Sequence, residues 1–231
     1  MSNYKTVFFI LGVLQIILGL SMIVPIMAQF YYNQVDSGFI GSGLVSIIFG
    51  VLFFLSNLDY EKKLTLPQAF LLTALSWLSI AIFGSLPFVF SDLSLSFTNA
   101  FFESMSGITT TGSTILTNLN ETPKAILLWR AMLQWLGGIG IIVMAITLMP
   151  IMNIGGMQLF VISNTHTPEK ILPKSKEISI RLIAIYSSLT LVCAFFYKIF
   201  GMSFFDSIVH SMTTIATVSY THLTLPTMRT V

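Results

Sequence analysis

Five stretches of about twenty apolar residues limit what this chain can fold into. They run from about Val7 to Phe30, Phe39 to Leu58, Gln68 to Phe90, Ala125 to Met149 and Ile178 to Phe200. Each is long enough for a helix to cross a bilayer, which takes roughly 20 residues. Only helices or closed barrels cross, because backbone polar groups find no water in the hydrocarbon. Charged residues make up 9% of the 231, against about 25% in an ordinary soluble domain. The first stretch is too long, and too closely followed by the second, to be a cleaved signal peptide. The expected fold class is therefore an all-α membrane protein.

Two further apolar segments, Leu95 to Ser106 and Ser203 to Thr213, are too short to cross. As helices each reaches roughly 18 Å, about half the bilayer. Ser94 or Ser96 is placed to cap the first, and Ser203 the second. Each follows a full span on the outer side, so each is expected to re-enter the membrane and stop near its middle. Its C-terminal end, carrying about −0.5 charge, then faces the centre and favours a cation there. The two segments also repeat. A shift of 107 places Ser96, Phe97, Ser104, Met105, Ile108 and Thr110 on the identical Ser203, Phe204, Ser211, Met212, Ile215 and Thr217. The expected unit is helix, re-entrant helix, loop and helix, starting near Leu66 and again near Lys174, after two extra transmembrane helices.

Between the first short segment and the next span lies Gly107-Ile108-Thr109-Thr110-Thr111-Gly112-Ser113. Irregular backbone at membrane depth is tolerated only where protein or a water-filled path covers it. Such a loop can turn carbonyls and hydroxyls toward a dehydrated cation. Thr109, Thr110, Thr111, Gly112 and Ser113 are accordingly read as one strand of an ion filter, with Gly112 supplying backbone freedom. A threonine-rich outer turn is the competing reading.

Glu103 and Arg130 sit in apolar segments, where an unpaired charge costs several kcal/mol. They are expected to pair or to hold the filter loop. Gly137, Gly138 and Gly140 suit close helix packing or a flexible point. His210 and Asp206, four apart on one helix face, are expected to make a packed polar contact rather than a metal site. Placing Lys5, Lys62, Lys63, Lys170, Lys174, Lys176 and Arg181 inside predicts a cytoplasmic N-terminus and a cytoplasmic loop 151–177. The loop is either a docking surface for a gating partner or a basic segment that fixes topology. On the outer side Asp36 and Glu121 read as solvated surface. The single cysteine, Cys193, excludes an internal disulfide.

The run Phe101-Phe102-Glu103-Ser104-Met105-Ser106-Gly107-Ile108-Thr109-Thr110-Thr111-Gly112, then Leu128-Trp129-Arg130, Gln134-Trp135-Leu136-Gly137-Gly138-Ile139-Gly140 and Met149-Pro150, resembles the TrkH potassium-uptake family of the TrkH/TrkG/KtrB superfamily. Phe205 to Thr217 resembles that family's second repeat, and the two helices before Leu66 favour the TrkH branch. The resemblance implies a pore of four pseudo-equivalent units that carries K+ as its transported ion. It also implies a homodimer in the inner membrane, gated by a cytoplasmic nucleotide-binding protein of the TrkA type, with no nucleic acid partner. Its second strand maps to Thr214, Ile215, Ala216 and Thr217. Where the family has a glycine pair this sequence has Val218 and Ser219.

On that reading residues 1–65 are two preliminary helices, 66–150 the first pore unit, 151–177 the cytoplasmic loop and 178–217 the start of a second unit. Residues 218–231 are a divergent tail resembling translated vector sequence, with a genuine divergent outer loop as the alternative. A fragment with two filter strands is not expected to conduct by itself. A non-conducting assembly subunit and a cation symporter of other selectivity are the alternatives. An enzyme would need a convergent set of intramembrane catalytic groups.

Overall fold

The computed structural model describes residues 4–34, 36–60, 64–117, 119, 121–152 and 171–219. Eight helices are found among them: α1 (Lys5–Ser21), α2 (Ile23–Tyr31), α3 (Gly38–Ser56), α4 (Leu66–Phe90), α5 (Phe97–Ile108), α6 (Lys124–Met152), α7 (Ile171–Ile199) and α8 (Phe204–Ile215). All five expected apolar stretches are helical and long enough to cross a membrane. Most of loop 151–177, and the tail from 220 onward, lie outside the described residues.

The first span is interrupted at Met22, between α1 and α2. Pro25 has no N–H, and its ring presses on the carbonyl four residues back, at Ser21, where α1 stops. In the first turn of α2 the missing donor costs nothing. Met22 bridges the break, its N–H donating to the Gly19 carbonyl at 3.3 Å, and its side chain is fully buried.

α3 runs back along α1 on matched glycines spaced seven apart. A Cβ on Gly12 would lie 2.7 Å from the Gly50 carbonyl oxygen, and one on Gly19 would lie 2.9 Å from that of Gly43. Within lipid, where apolar burial gives helices little reason to associate, such backbone proximity supplies the van der Waals contact that holds the hairpin. The hairpin packs on α4 and α6. Asp36 secures it at the turn between α2 and α3: Gly38 N–H donates to Oδ1 at 2.8 Å and Asp92 N–H to Oδ2 at 3.2 Å. Asp36 is thus a loop staple, not the free surface carboxylate expected.

α4 opens with a capping box, Thr65 and Gln68 serving each other's backbone N–H. The core gathers around the N-terminal half of α6, where Trp129 and Leu133 pack with Phe39, Phe88, Ala100 and Val209. Trp129 Nε1 donates to the Gly84 carbonyl at 3.0 Å, satisfying the indole in an otherwise apolar setting. This core fixes α5 and α8 against the same helix, α6.

Candidate ion pathway

The two half-length helices obey the 107-residue repeat to the residue, since 97–108 shifts onto 204–215. Ser96 caps α5 by accepting from Asn99 N–H, and Ser203 caps α8 by accepting from Asp206 N–H. Both helices end alike. Thr109 N–H donates to Met105 O, Thr110 N–H to Gly107 O and Thr111 N–H to Ser106 O. In the second unit Ala216 donates to Met212 O, Thr217 to Thr214 O and Val218 to Thr213 O. Thr110 (φ 57°) and Thr217 (φ 53°) are both left-handed, a conformation that a β-branched residue rarely accepts.

In the first loop the sign of φ alternates: Thr109 is at −80°, Thr110 at 57° and Gly112 at 83°, with Thr111 outside the positive-φ set. The N–H groups here turn back on the end of α5, Thr111 and Gly112 both donating to the Ser106 carbonyl at 3.0 and 3.2 Å, the closure that a left-handed residue makes after a helix. The second loop carries only the first of these reversals. Ser219 stands at the repeat position of Gly112 without its positive φ, and donates its N–H to the Thr110 carbonyl across the two loops at 3.2 Å. Thr214 and Ile215, expected to begin the second strand, are instead the last residues of α8, and the Thr214 hydroxyl bonds with Tyr197 Oη at 2.8 Å. Both helices thus end at equivalent positions of the repeat, Ile108 and Ile215.

A buried ion pair holds the first loop. Glu103 is 0% exposed and Arg130 3%. Arg130 Nε donates to Glu103 Oε1 at 2.5 Å, while Nη2 donates to the carbonyls of Gly112 at 2.6 Å and Ser113 at 3.4 Å. Glu103 Oε2 accepts from Thr114 Oγ1 at 3.0 Å and Ile115 N–H at 3.1 Å. Ser106 Oγ donates to the Ser113 carbonyl at 2.6 Å. The two alternatives open in the sequence, pairing and holding the loop, are both realised. The Gly112 and Ser113 carbonyls, expected to face an ion, are engaged by this brace, and the Thr110 carbonyl accepts from Ser219 N–H. Ser106 and Thr114 were missed as partners. Ser106 lies three residues after Glu103, a spacing that puts both on one helix face.

α6 packs against the ends of both short helices through glycine. A Cβ on Gly137 would fall 1.8 Å from the Ile108 carbonyl oxygen, and one on Gly138 would fall 2.5 Å from Tyr186 Oη and 3.3 Å from Ala216 Cα. Close packing accounts for these two, whereas a Cβ on Gly140 meets nothing within 4 Å. Asp206 bonds with Ser203 Oγ at 2.7 Å, and His210 packs edge-on against Tyr197. Among the described residues no three metal-ligating side chains converge.

The family model described as TrkH, cation transport protein, matches residues 35–223. The chain is 39% identical over 209 residues to the Trk system potassium uptake protein TrkI of Halomonas elongata, covering 90% of this chain and 42% of that protein. It is 38% identical over 218 residues to the Trk system potassium uptake protein TrkH of Vibrio parahaemolyticus, covering 93% and 45%. The crystal structure of the potassium transporter TrkH from Vibrio parahaemolyticus superposes with a TM-score of 0.81 at 35% identity, over 91% of this chain and 42% of that one. The chain thus spans less than half the length of the curated relatives it matches.

Proposed function

The chain belongs to the TrkH family of cation transport proteins, and we propose that it forms part of a potassium-uptake pore in which loop 109–113 supplies one filter strand. The observation that carries this reading is the alternation of φ along Thr109–Gly112, held from behind by Arg130. In this reading the carbonyls of Thr109 and Thr111 replace part of the hydration shell of a K+ ion, while the Thr110 carbonyl accepts from Ser219 N–H. Residues 216–219, by repeat register, belong to the second strand, with further strands supplied by sequence outside this chain. Glu103 and Arg130 support the filter without touching the ion. The C-terminal ends of α5 and α8 add partial negative charge on the same side.

Gly112→Ala tests the reading. The φ of 83° costs a residue with a Cβ about 1–2 kcal/mol, enough to re-aim the peptide planes on either side. In a complete family member carrying residues 66–152 of this chain as its first unit, 86Rb+ flux is expected to persist while its preference over Na+ falls about tenfold. Unchanged preference removes this loop from the filter.

The same reading places the protein in the inner membrane with a cytoplasmic N-terminus, as a homodimer gated by a TrkA-type nucleotide-binding protein that docks on the loop 151–177. Single-cysteine labelling in a Cys193→Ser background checks the orientation. Glu121→Cys is expected to react with an impermeant maleimide from outside and Ser175→Cys only after permeabilisation. The opposite pattern inverts the topology.

A further inference from the structure

Gln134 lies on α6 one turn beyond Arg130 and one turn before Gly137 and Gly138. It is 0% exposed, and neither its Nε2 nor its Oε1 has a hydrogen-bond partner. Because no part of it is exposed even within this chain, no surface remains for a distant segment or a second subunit to reach. A glutamine amide carries two donors and an acceptor with two lone pairs, and such groups are rarely left unpaired in an interior.

Its surroundings say what those groups serve. Gln134 shares a helix face with Arg130, one turn before it, whose Nη2 fixes the Gly112 carbonyl. One turn further along, Gly137 abuts the Ile108 carbonyl and Gly138 abuts Ala216. Gln134 therefore stands where the C-terminal ends of α5 and α8 meet α6, and helix ends carry carbonyls without intrahelical donors.

We propose that Gln134 is a positioning residue that donates through one ordered water to backbone carbonyls behind both loops and thereby sets the spacing between the two strands. The inference rests on reading those loops as filter strands. A buried amide kept in an apolar helix, next to the brace and between two helix ends, is explained by this role and not by packing.

The test uses a complete family member in which residues 66–219 of this chain replace the corresponding segment, reconstituted in vesicles for 86Rb+ uptake against Na+. Gln134→Leu and Gln134→Met keep the volume and remove the amide. Both are expected to accumulate, with an unfolding midpoint close to the parent's, because the amide has no direct protein partner for its removal to strand. The preference for Rb+ over Na+ is expected to fall about fivefold, the equilibrium effect of one net hydrogen bond. An unchanged preference in folded protein overturns the inference and leaves the filter reading intact, as does failure of both variants to accumulate, which marks a purely structural residue. If the parent itself passes no Rb+, the filter reading falls and takes this inference with it.

Discussion

Arg130→Leu is expected to produce the largest loss of stability of any single substitution in the pore unit. It strands the Glu103 carboxylate, 0% exposed, without the guanidinium that balances it at 2.5 Å. Removing one partner of a buried ion pair costs about 3–5 kcal/mol, much of it from the orphaned charge. It also takes the donor from the Gly112 and Ser113 carbonyls. The midpoint of thermal unfolding in detergent should drop sharply, with most of the protein lost to aggregation during purification. The double variant Glu103→Leu with Arg130→Leu separates the two effects. With no charge left buried, its midpoint should recover to well above that of Arg130→Leu alone. The loop 109–115 remains without its brace, so ion preference should stay impaired. Equal midpoints for the single and double variants would show that charge burial is not what the pair manages.

Gly137→Ala should come next. Its Cβ would sit 1.8 Å from the Ile108 carbonyl oxygen, a backbone atom at the end of α5 that no rotamer change can move. The last turn of α5 has to retreat from α6, carrying Thr109 and Thr110 with it. Overpacking of this kind costs about 1–3 kcal/mol and occasionally more, and a contact with backbone belongs at the upper end. Gly140→Ala, three residues on and with nothing within 4 Å of its Cβ, is the internal control. By helix propensity it should be neutral or stabilising by up to about 1 kcal/mol. Unfolding midpoints of the two variants in the same detergent check the contrast. If both behave alike, the glycines serve flexibility of α6 rather than its contact with α5.

Much of the architecture was legible because it depends on local chemistry. Apolar length named the five spans, half-length segments with serine caps named α5 and α8, and the offset of 107 tied the two units together. The pairing of Glu103 with Arg130 was legible for a different reason: an apolar setting penalises every alternative for two opposite charges so placed. The start of the second strand was misread at Thr214, since a threonine run looks the same in the last turn of a helix and just beyond it. Only the matched hydrogen bonds from 216, 217 and 218 set its register.

The sequence by itself determined which segments cross the membrane, which stop halfway, and where irregular backbone lies, because hydrophobic length and turn chemistry are properties of consecutive residues. Tertiary structure alone decided what each loop carbonyl faces. Whether the Gly112 carbonyl points to Arg130, eighteen residues away, or whether Ser219 reaches Thr110, depends on how closely α6 approaches α5 and α8. That approach is set by Gly137 and Gly138 meeting Ile108 and Ala216. Distances between helices are decided by side chains, or their lack, on faces that never adjoin in sequence, so no local pattern encodes them.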